Sequence, residues 1–418
     1  MAQVAYSQLW DEIEWVEPSW EPAFLKDRVE TYYRERVEKS WRGGHIMRGR
    51  LPSAASVLLQ SNDYLSIARH PTILSAQVEA IERAGNGLLM SAVFLQGDQP
   101  QLHLEAEFAR YLGSEATVLC QSGWCANTGL IQAIANEYVP VYVDMLAHMS
   151  LHEGILSAGA TARPFRHNDV DHLERQIRRH GPGIVVVDSV YSTTGAVAPL
   201  AEIVEIGLRY GCVLVVDESH SLGTHGPDGT GLVAACGLTE QVHFRTASLA
   251  KAFAGRAGLI TCSERFADYF RCTARPAIFS STLLPQEVAG LQATLRVIRD
   301  EDWRRRKLHD NACYLRDELT RLGYNLASQS QIISLESGPE PQTIVLRDAL
   351  ESRGIFGSVF CAPATTTNRS LMRLSVNATL TGAQLQRIVD ACAAIRKEVD
   401  LANWASTRRK PRPCPLLS

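Results

Sequence analysis

The stretch Cys212-Val-Leu-Val-Val-Asp217-Glu-Ser-His220 decides the fold class of this 418-residue chain. An apolar run that ends on a carboxylate is typical of a buried strand in a parallel sheet, whose carboxyl end faces a ligand site. A lysine follows in Thr246-Ala-Ser-Leu-Ala-Lys251, a turn of small residues. Alone, Asp217 or Lys251 is most simply a solvent-exposed charge. Its interpretation depends on the surrounding sequence.

Short β-branched runs alternate with helical patterns from about Asn62 to Pro285. This alternation predicts a mostly parallel sheet that is covered by helices on both faces. The candidate strands are Ala116–Cys120, Val141–Val143, Ile184–Asp188, Val213–Asp217, Val242–Thr246 and Leu259–Cys262. Polar residues stand at or just beyond the carboxyl ends of such strands, and we expect them to converge on one site. They are Ser122, Asp144, Ser189 and Asp217.

The pattern predicts four segments along the chain. Residues 1–61 form an N-terminal segment with a charged, amphipathic helix over 24–41, and residues 62–285 form the large domain. A smaller α+β domain follows over 286–404, opening with a long helical stretch to Leu322. The basic, Pro-rich residues 405–418 are predicted to be a disordered tail.

Composition excludes several classes of function. Hydrophobic content of 45% and charged content of 21% are ordinary for a soluble globular protein. A net charge of −3 offers no electrostatic basis for binding nucleic acid or anionic membranes. We see no signal peptide and no apolar run long enough to span a bilayer. The ten scattered cysteines lack a Cys-x-x-Cys pair, which predicts reduced thiols in a cytoplasmic protein.

His148 and His152 have the spacing of a metal-binding helix face. No cysteine or third histidine completes a recognisable motif nearby, so we predict no metal site and another role for His148.

A strand-end carboxylate followed by a lysine in a small-residue turn suits pyridoxal 5′-phosphate (PLP) especially well. Lys251 would hold the aldehyde as a Schiff base, and Asp217 would keep the pyridine nitrogen protonated, so that the ring can accept electrons. Gly123 lies in Gln121-Ser-Gly-Trp-Cys-Ala-Asn127, which follows a strand and opens a helix. The free N–H groups of such a helix terminus suit a phosphate.

Four other residues are placed to contact the same cofactor. A flat imidazole at His148 could stack on the pyridine ring, although a packed or solvated histidine is the simpler interpretation of that residue alone. Ser192 and His220 could hydrogen-bond the phenolic oxygen. Ser248, three residues before Lys251, is placed to meet the phosphate.

Six motifs stand in the same order as in a known family. They are Ser122-Gly-x-x-Ala-Asn127, Asp144-x-x-Ala-His148-x-Ser, Phe165-Arg-His-Asn168, Ala198-Pro-Leu200, Asp217-Glu-Ser-His220-Ser-x-Gly-x-x-Gly226 and Phe279-Ser-Ser-Thr282. Over about 62–396 the chain thus resembles the α-oxoamine synthases. That family has aminotransferase fold type I, depends on PLP, and joins an amino acid to an acyl-CoA with loss of carbon dioxide.

The resemblance implies a role for each matching residue. Lys251 would be the Schiff-base lysine, Asp217 the pyridinium partner and His148 the stacking base. Arg373 would bind the substrate carboxylate with its bidentate fork. Further cofactor contacts would come from Ser122, Gly123, Trp124, Ser192, His220 and Ser248. Ser281 and Thr282 would reach the phosphate of the neighbouring subunit, which implies a homodimer with a shared active site.

Departures from the commoner members resemble one branch, the CqsA-type synthases that make long-chain α-hydroxyketone quorum-sensing signals. This chain has Asn86-Gly-Leu-Leu-Met-Ser-Ala-Val-Phe94-Leu-Gln instead of a Gly/Ser/Arg-rich stretch, and Ser219 and Ala250 instead of Ala and Gly. The resemblance implies a medium-chain acyl-CoA (about C10) and 2-aminobutyrate or S-adenosylmethionine as substrates. Val93 and Phe94 are candidates for lining an acyl channel, and ordinary core positions are an equally open interpretation.

Two alternatives stay open. The chain could be another α-oxoamine synthase, of the aminooxononanoate, aminoketobutyrate or sphingoid-base type, against which the departure at 86–96 argues. It could also be a non-catalytic partner subunit of the same fold. The presence of both Lys251 and Asp217 argues against that interpretation.

Overall fold

A computed structural model describes residues 21–408 and divides the chain into two units after Gly49. In the first unit, α1 (Ala23–Tyr32) continues directly into a π-helical segment, Tyr33–Ser40. An exposed pair at i, i+4 supports that segment, with Lys39 Nζ 2.8 Å from Glu35 Oε1. The helix predicted over 24–41 is therefore present almost to its end, while residues 1–20 lie outside the described residues.

The second unit is built on a seven-stranded sheet. Its strands are β2 (Ala116–Cys120), β3 (Pro140–Asp144), β4 (Thr161–Phe165), β5 (Ile184–Asp188), β6 (Val213–Asp217), β7 (Phe244–Ser248) and β8 (Gly258–Cys262). The spatial order is β2-β8-β7-β6-β5-β3-β4. All neighbours pair in parallel except that β8 is antiparallel to both β7 and β2. The predicted mostly parallel sheet is confirmed.

Residues of the central strands alternate between two hydrophobic clusters. On β5, Val185 and Val187 belong to one cluster, and Ile184 and Val186 belong to the other. Both faces of the sheet are therefore buried, as a near-continuous Val/Ile run predicts.

The helices of this region, in chain order, are α2 (Pro71–Ala84), α3 (Pro100–Leu112), α4 (Gly123–Ile134), α5 (Met149–Ser157), α6 (Val170–His180), α7 (Leu200–Arg209), α8 (Leu232–Ala235), α9 (Glu264–Thr273) and α10 (Arg275–Ile278).

The long helical stretch predicted over 286–322 is two helices, α11 (Pro285–Asp300) and α12 (Trp303–Arg321). The break occurs at Glu301, whose backbone leaves the helical region at φ −107° and ψ 54°. Its carboxylate lies 3.0 Å from His70 Nε2 and accepts a hydrogen bond from Arg304 Nε at 2.6 Å. These contacts stabilise the turn between the two helices. The hydrophobic periodicity of the sequence does not predict them.

Two small sheets complete the unit. β1 (Val57–Leu58) pairs in parallel with β10 (Ile355–Phe356), and β9 (Ile332–Gly338) pairs antiparallel with β12 (Ser370–Ser375), which pairs with β11 (Ser358–Phe360). Helices α13 (Glu340–Glu351) and α14 (Gly382–Ile395) accompany them. The division predicted at 285 falls where α11 begins, and α11 packs against α2 of the preceding region. That division stays a prediction.

The predicted tail begins inside the described residues. Ser406 is buried and its hydroxyl donates to the Glu336 carbonyl at 2.5 Å. Residues 409–418 lie outside the described residues. Over 21–408, every helix is too short or too polar to cross a membrane.

Strand register gathers three carboxylates at one edge of the central sheet. Asp188 on β5 is the partner of Asp217 on β6, and Asp217 is the partner of Thr246 on β7. Asp144 ends β3, the strand on the other side of β5. All three aspartates are buried, so the fold places the candidate site where parallel strands end.

A buried ion pair fixes the residue that follows Asp217. Arg245 Nε donates to Glu218 Oε2 at 2.6 Å, and the exposed fractions of the two side chains are 4% and 1%. The same guanidinium donates to the carbonyls of Leu112 and Thr230. This arginine therefore ties β7 to the loop after β6.

We predict that Arg245→Met lowers the free energy of unfolding by about 3–5 kcal/mol, because it leaves a buried carboxylate without its partner. Urea unfolding monitored by circular dichroism measures the change. Arg209→Met is the matched control, since Arg209 pairs with Glu205 at the surface, and a loss below about 1 kcal/mol is expected there. Equal losses in the two variants would contradict the prediction.

Candidate active site

Asp217 is a buried carboxylate with a hydrogen bond to each oxygen. Its Oδ2 accepts from Asn127 Nδ2 at 2.7 Å, and its Oδ1 accepts from the backbone N–H of Ser219 at 2.8 Å. Only 4% of the residue is exposed. A carboxylate is stable in such a place only when it is hydrogen-bonded, and both donors here are neutral. Its charge is therefore left available to a cationic group in the site.

His148 begins α5 as its N-cap. Its Nδ1 lies 2.7 Å from Ser150 Oγ, and its backbone N–H donates to Asp188 Oδ1 at 3.1 Å. Although His148 as a whole residue is exposed, partial desolvation of its ring lowers its pKa; the charge of Asp217 opposes the shift and that of Lys251 adds to it. At neutral pH the ring is therefore a neutral, flat imidazole, the form required for stacking on an aromatic cofactor.

Lys251 lies half-buried in the loop after β7. Burial lowers its pKa, the nearby Arg373 lowers it further, and Asp217 opposes them. A larger fraction of its amine is thus unprotonated at neutral pH than in an exposed lysine, which favours attack on an aldehyde. Lys251 also borders a cavity of about 450 Å³, lined mainly by Ser61–Asp63, Gln77, Arg256, Glu287, Leu291 and Thr294.

The start of α4 forms a cradle for a phosphate. Ser122 caps the helix and its hydroxyl accepts from Cys125 N at 3.1 Å. A Cβ on Gly123 would come within 2.6 Å of Ser248 Cβ, so only glycine allows this approach. The backbone N–H of Ser248 donates to Ser219 Oγ at 2.7 Å, and this hydrogen bond holds Ser248 in place. The free N–H groups of α4 and the Ser248 hydroxyl therefore fit the phosphate of PLP.

Trp124, the next residue of the cradle, is 46% exposed. Its ring centroid is 6.3 Å from that of His148, with the two planes nearly perpendicular. The start of α4 and the histidine predicted to stack on the cofactor therefore lie next to each other.

Arg373 extends from β12 into the same region. Its Nη1 donates to the Ser192 carbonyl at 2.9 Å and its Nη2 to Asn62 Oδ1 at 2.9 Å. The side chain is buried, lies 4.7 Å over the Phe360 ring, and its Nε has no hydrogen-bond partner within residues 21–408. A buried guanidinium with an unused donor suits a substrate carboxylate.

His220 is buried in the loop after β6. Desolvation, followed by the charges of Lys251 and Arg373, holds its pKa well below the usual range. Lys251 interacts electrostatically with His148, His220, Arg373 and Asp217, so the structure brings these predicted residues into one cluster around the lysine.

The residues predicted to reach a neighbouring subunit lie beside the predicted acyl-channel segment. Ser281 is exposed, pairs with Ser91 in a short antiparallel bridge, and its carbonyl accepts from Gln121 next to the cradle. Thr282 N donates to Met90 O at 2.8 Å. Val93 and Phe94 lie on the 3₁₀ turn Ala92–Phe94, and Phe94 is 65% exposed. The roles of these four residues, like those assigned to the other site residues, stay predictions.

Sequence reasoning missed three residues that support the cluster: Asn127, Asp188 and Tyr64. Asp188 ends an apolar run as Asp217 does, so the same signal could have found it. Burial, and then the charge of Asp217, raise the pKa of Asp188 well above its usual range, which favours the protonated carboxyl beside that charge. Asn127 stands inside a motif quoted for the resemblance, and Tyr64 lies just after the predicted start of the large domain, but the contacts of both residues are not local in sequence.

The fold and the cluster define a PLP enzyme of aminotransferase fold type I. The sequence model of aminotransferase class I and II matches residues 55–392. CAI-1 autoinducer synthase of Vibrio campbellii is 48% identical over 371 residues, 89% of this chain and 94% of that protein. Serine palmitoyltransferase of Bacteriovorax stolpii is 30% identical over 91% of this chain and 90% of its own length.

A solved serine palmitoyltransferase from S. paucimobilis, with a PLP–myriocin aldimine bound, has a TM-score of 0.81 and 25% identity. The match covers 91% of this chain and 98% of that one. The chain belongs to the class I and II aminotransferase family and, within it, to the PLP-dependent acyltransferases known as α-oxoamine synthases.

We predict that borohydride reduction of the PLP-loaded protein at pH 8 modifies Lys251, because its lowered pKa favours the unprotonated amine. Peptide mapping by mass spectrometry identifies the modified residue. Lys307 on α12 and Lys397 in the turn after α14, both exposed, serve as internal controls. Modification of another lysine in place of Lys251 would refute the assignment.

We also predict that Asp217→Asn retains PLP and loses activity on the order of 100-fold, because an amide carries no charge to hold the pyridinium proton. Asp390→Asn, on the exposed side of α14, is the matched control and should keep full activity. Turnover and bound PLP are measured on the same preparations. Near-normal turnover of Asp217→Asn would remove the argument for an electron sink.

Proposed function

We propose that this enzyme condenses an α-amino acid with a medium-chain acyl-CoA and releases carbon dioxide. The product would be a long-chain aminoketone, the precursor of an α-hydroxyketone autoinducer. The observation that carries the proposal is the 48% identity to a CAI-1 autoinducer synthase across 89% of the chain. The alternative is a related synthase such as the serine palmitoyltransferase type, at 30% identity.

Bound PLP would supply the electron sink for a carbanion at the substrate Cα. Asp217 would hold the proton on the pyridine nitrogen, and His148 would cover one face of the ring. Once displaced from the cofactor, Lys251 Nζ would remove the Cα proton, for which a depressed pKa is favourable. Arg373 would hold the substrate carboxylate in place.

The finer assignments form part of the same proposal. The amino donor is 2-aminobutyrate or S-adenosylmethionine, and the acyl donor carries about ten carbons. Two chains form a homodimer in which Ser281 and Thr282 of one subunit reach the phosphate held by the other. The enzyme acts in the cytoplasm on these small-molecule substrates and without a nucleic-acid partner.

We predict that catalytic efficiency rises about fourfold for each methylene added from acetyl-CoA to a medium-chain donor, because each buried methylene contributes about 0.8 kcal/mol. Efficiency then flattens or falls once the channel is full. Mass spectrometry of products from a panel of acyl-CoAs and amino acids measures both preferences.

If Val93 and Phe94 line the channel, Phe94→Ala shifts the preferred chain length upward. Tyr138→Ala is the matched control, since Tyr138 is an 84% exposed aromatic side chain outside that segment. Equal rates with acetyl-CoA and decanoyl-CoA would contradict the autoinducer assignment. A preference for palmitoyl-CoA would favour the alternative.

A further inference from the structure

A buried chain of hydrogen bonds connects Arg373 to His220. Arg373 Nη2 donates to Asn62 Oδ1 at 2.9 Å, and the Tyr64 hydroxyl lies 3.2 Å from the same oxygen. On its other side, Tyr64 Oη lies 2.7 Å from His220 Nδ1. Tyr64 has no exposed surface, and His220 is 5% exposed. The bond between Tyr64 and His220 is therefore shielded from water, whereas Asn62 is half-buried.

The direction of each bond follows from the donors available. A guanidinium has only donors, so the atom of Asn62 that faces Arg373 is its carbonyl oxygen, which has two lone pairs. The Tyr64 hydroxyl has one hydrogen, and it satisfies the second lone pair of Asn62 Oδ1. Tyr64 Oη can then only accept from His220, which places a hydrogen on Nδ1 of that ring. Only with this placement of hydrogens are all three contacts, Arg373 to Asn62, Tyr64 to Asn62 and His220 to Tyr64, hydrogen bonds.

The charges around the two rings agree with this assignment. Lys251, Arg373 and His148 face His220, and together with burial they hold its pKa well below the usual range, so the imidazole is neutral. Burial raises the pKa of Tyr64, against the opposing charge of Arg373, so its hydroxyl keeps its hydrogen. A neutral imidazole with a hydrogen on Nδ1 has a lone pair on Nε2.

We propose that Tyr64 is a positioning residue that fixes His220 as the Nδ1–H tautomer and leaves Nε2 as a hydrogen-bond acceptor in the active site. The sequence motif predicts that His220 contacts the phenolic oxygen of PLP, and an acceptor Nε2 can hydrogen-bond that oxygen only while the oxygen carries its proton. Tyr64→Phe removes the oxygen that holds the Nδ1 hydrogen. Without it, the two tautomers of His220 become comparable in population and the ring is free to turn.

The tautomer is measured by ¹⁵N NMR on the histidine-labelled apoenzyme, where the His220 signals are identified by their loss in His220→Gln. In the wild-type protein we expect a protonated, pyrrole-type Nδ1 and an unprotonated, pyridine-type Nε2. In Tyr64→Phe we expect both shifts to move toward the average of the two tautomers. Tyr324→Phe is the matched control, because it removes a buried hydroxyl that donates to the Cys392 carbonyl at 2.9 Å; the His220 signals should not change.

A protonated Nε2 in the wild-type apoenzyme overturns the proposal, and this measurement needs no variant. Unchanged His220 signals in a folded Tyr64→Phe protein overturn it as well. With PLP bound, Tyr64→Phe should shift the pH midpoint of the cofactor absorbance by about one pH unit, while Tyr324→Phe leaves it in place. This result rests on the proposed contact of His220 with PLP, whereas the apoenzyme signals do not. If the acyl-CoA product assay fails while the NMR results are as expected, the proposed function is refuted and the role of Tyr64 stands.

Discussion

The buried negative charge of Asp217 is the constraint on which the rest of the site depends. A carboxylate with 4% exposure is tolerated because Asn127 and the Ser219 N–H each hydrogen-bond one oxygen. Asn127 lies on α4, the helix whose first residues are the proposed phosphate cradle, so this one helix would support both ends of the cofactor. Glu218, the residue after Asp217, is held by its ion pair with Arg245 on the neighbouring strand β7. The position of the Asp217 charge therefore depends on both strands.

Around this charge, the other titratable groups are pushed toward their neutral forms. Burial lowers the pKa of Lys251, His148 and His220, and it raises the pKa of Asp188. The site thus combines one fixed carboxylate with a lysine and two histidines whose lowered pKa values favour their unprotonated forms. Such a combination is suited to proton transfer at carbon beside a cofactor that accepts electrons.

The sequence predicted three strands of the central sheet to the residue, whereas β3 is one residue longer at each end, β7 is shifted by two residues and β8 begins one residue earlier than predicted. β2, β5 and β6 have the predicted bounds because their apolar runs are buried on both faces and end at polar residues. β4 was missed because Thr161-Ala-Arg-Pro-Phe165 is a largely exposed edge strand with a proline and no apolar run. β7 extends to Ser248 instead of ending at Thr246, because Ser248 pairs with Gly258 across the neighbouring antiparallel strand.

Within the site, motif spacing predicted which residues would meet but not how they are held. Asn127, Tyr64 and Asn62 act over separations of 90, 156 and 311 residues on Asp217, His220 and Arg373, respectively. Such contacts depend on packing that no local pattern encodes. Most members of the cluster could therefore be predicted from the sequence. The directions of their pKa shifts could be inferred only from the structure.

The central claim is that Asp217 keeps the pyridine nitrogen of PLP protonated. The most direct test is ¹⁵N NMR of the holoenzyme reconstituted with PLP labelled at that nitrogen, recorded across neutral and alkaline pH. The account predicts a pyridinium shift that persists well above the pH at which free PLP loses this proton, and its loss in Asp217→Asn. An unprotonated pyridine nitrogen in the wild-type holoenzyme at neutral pH would contradict it.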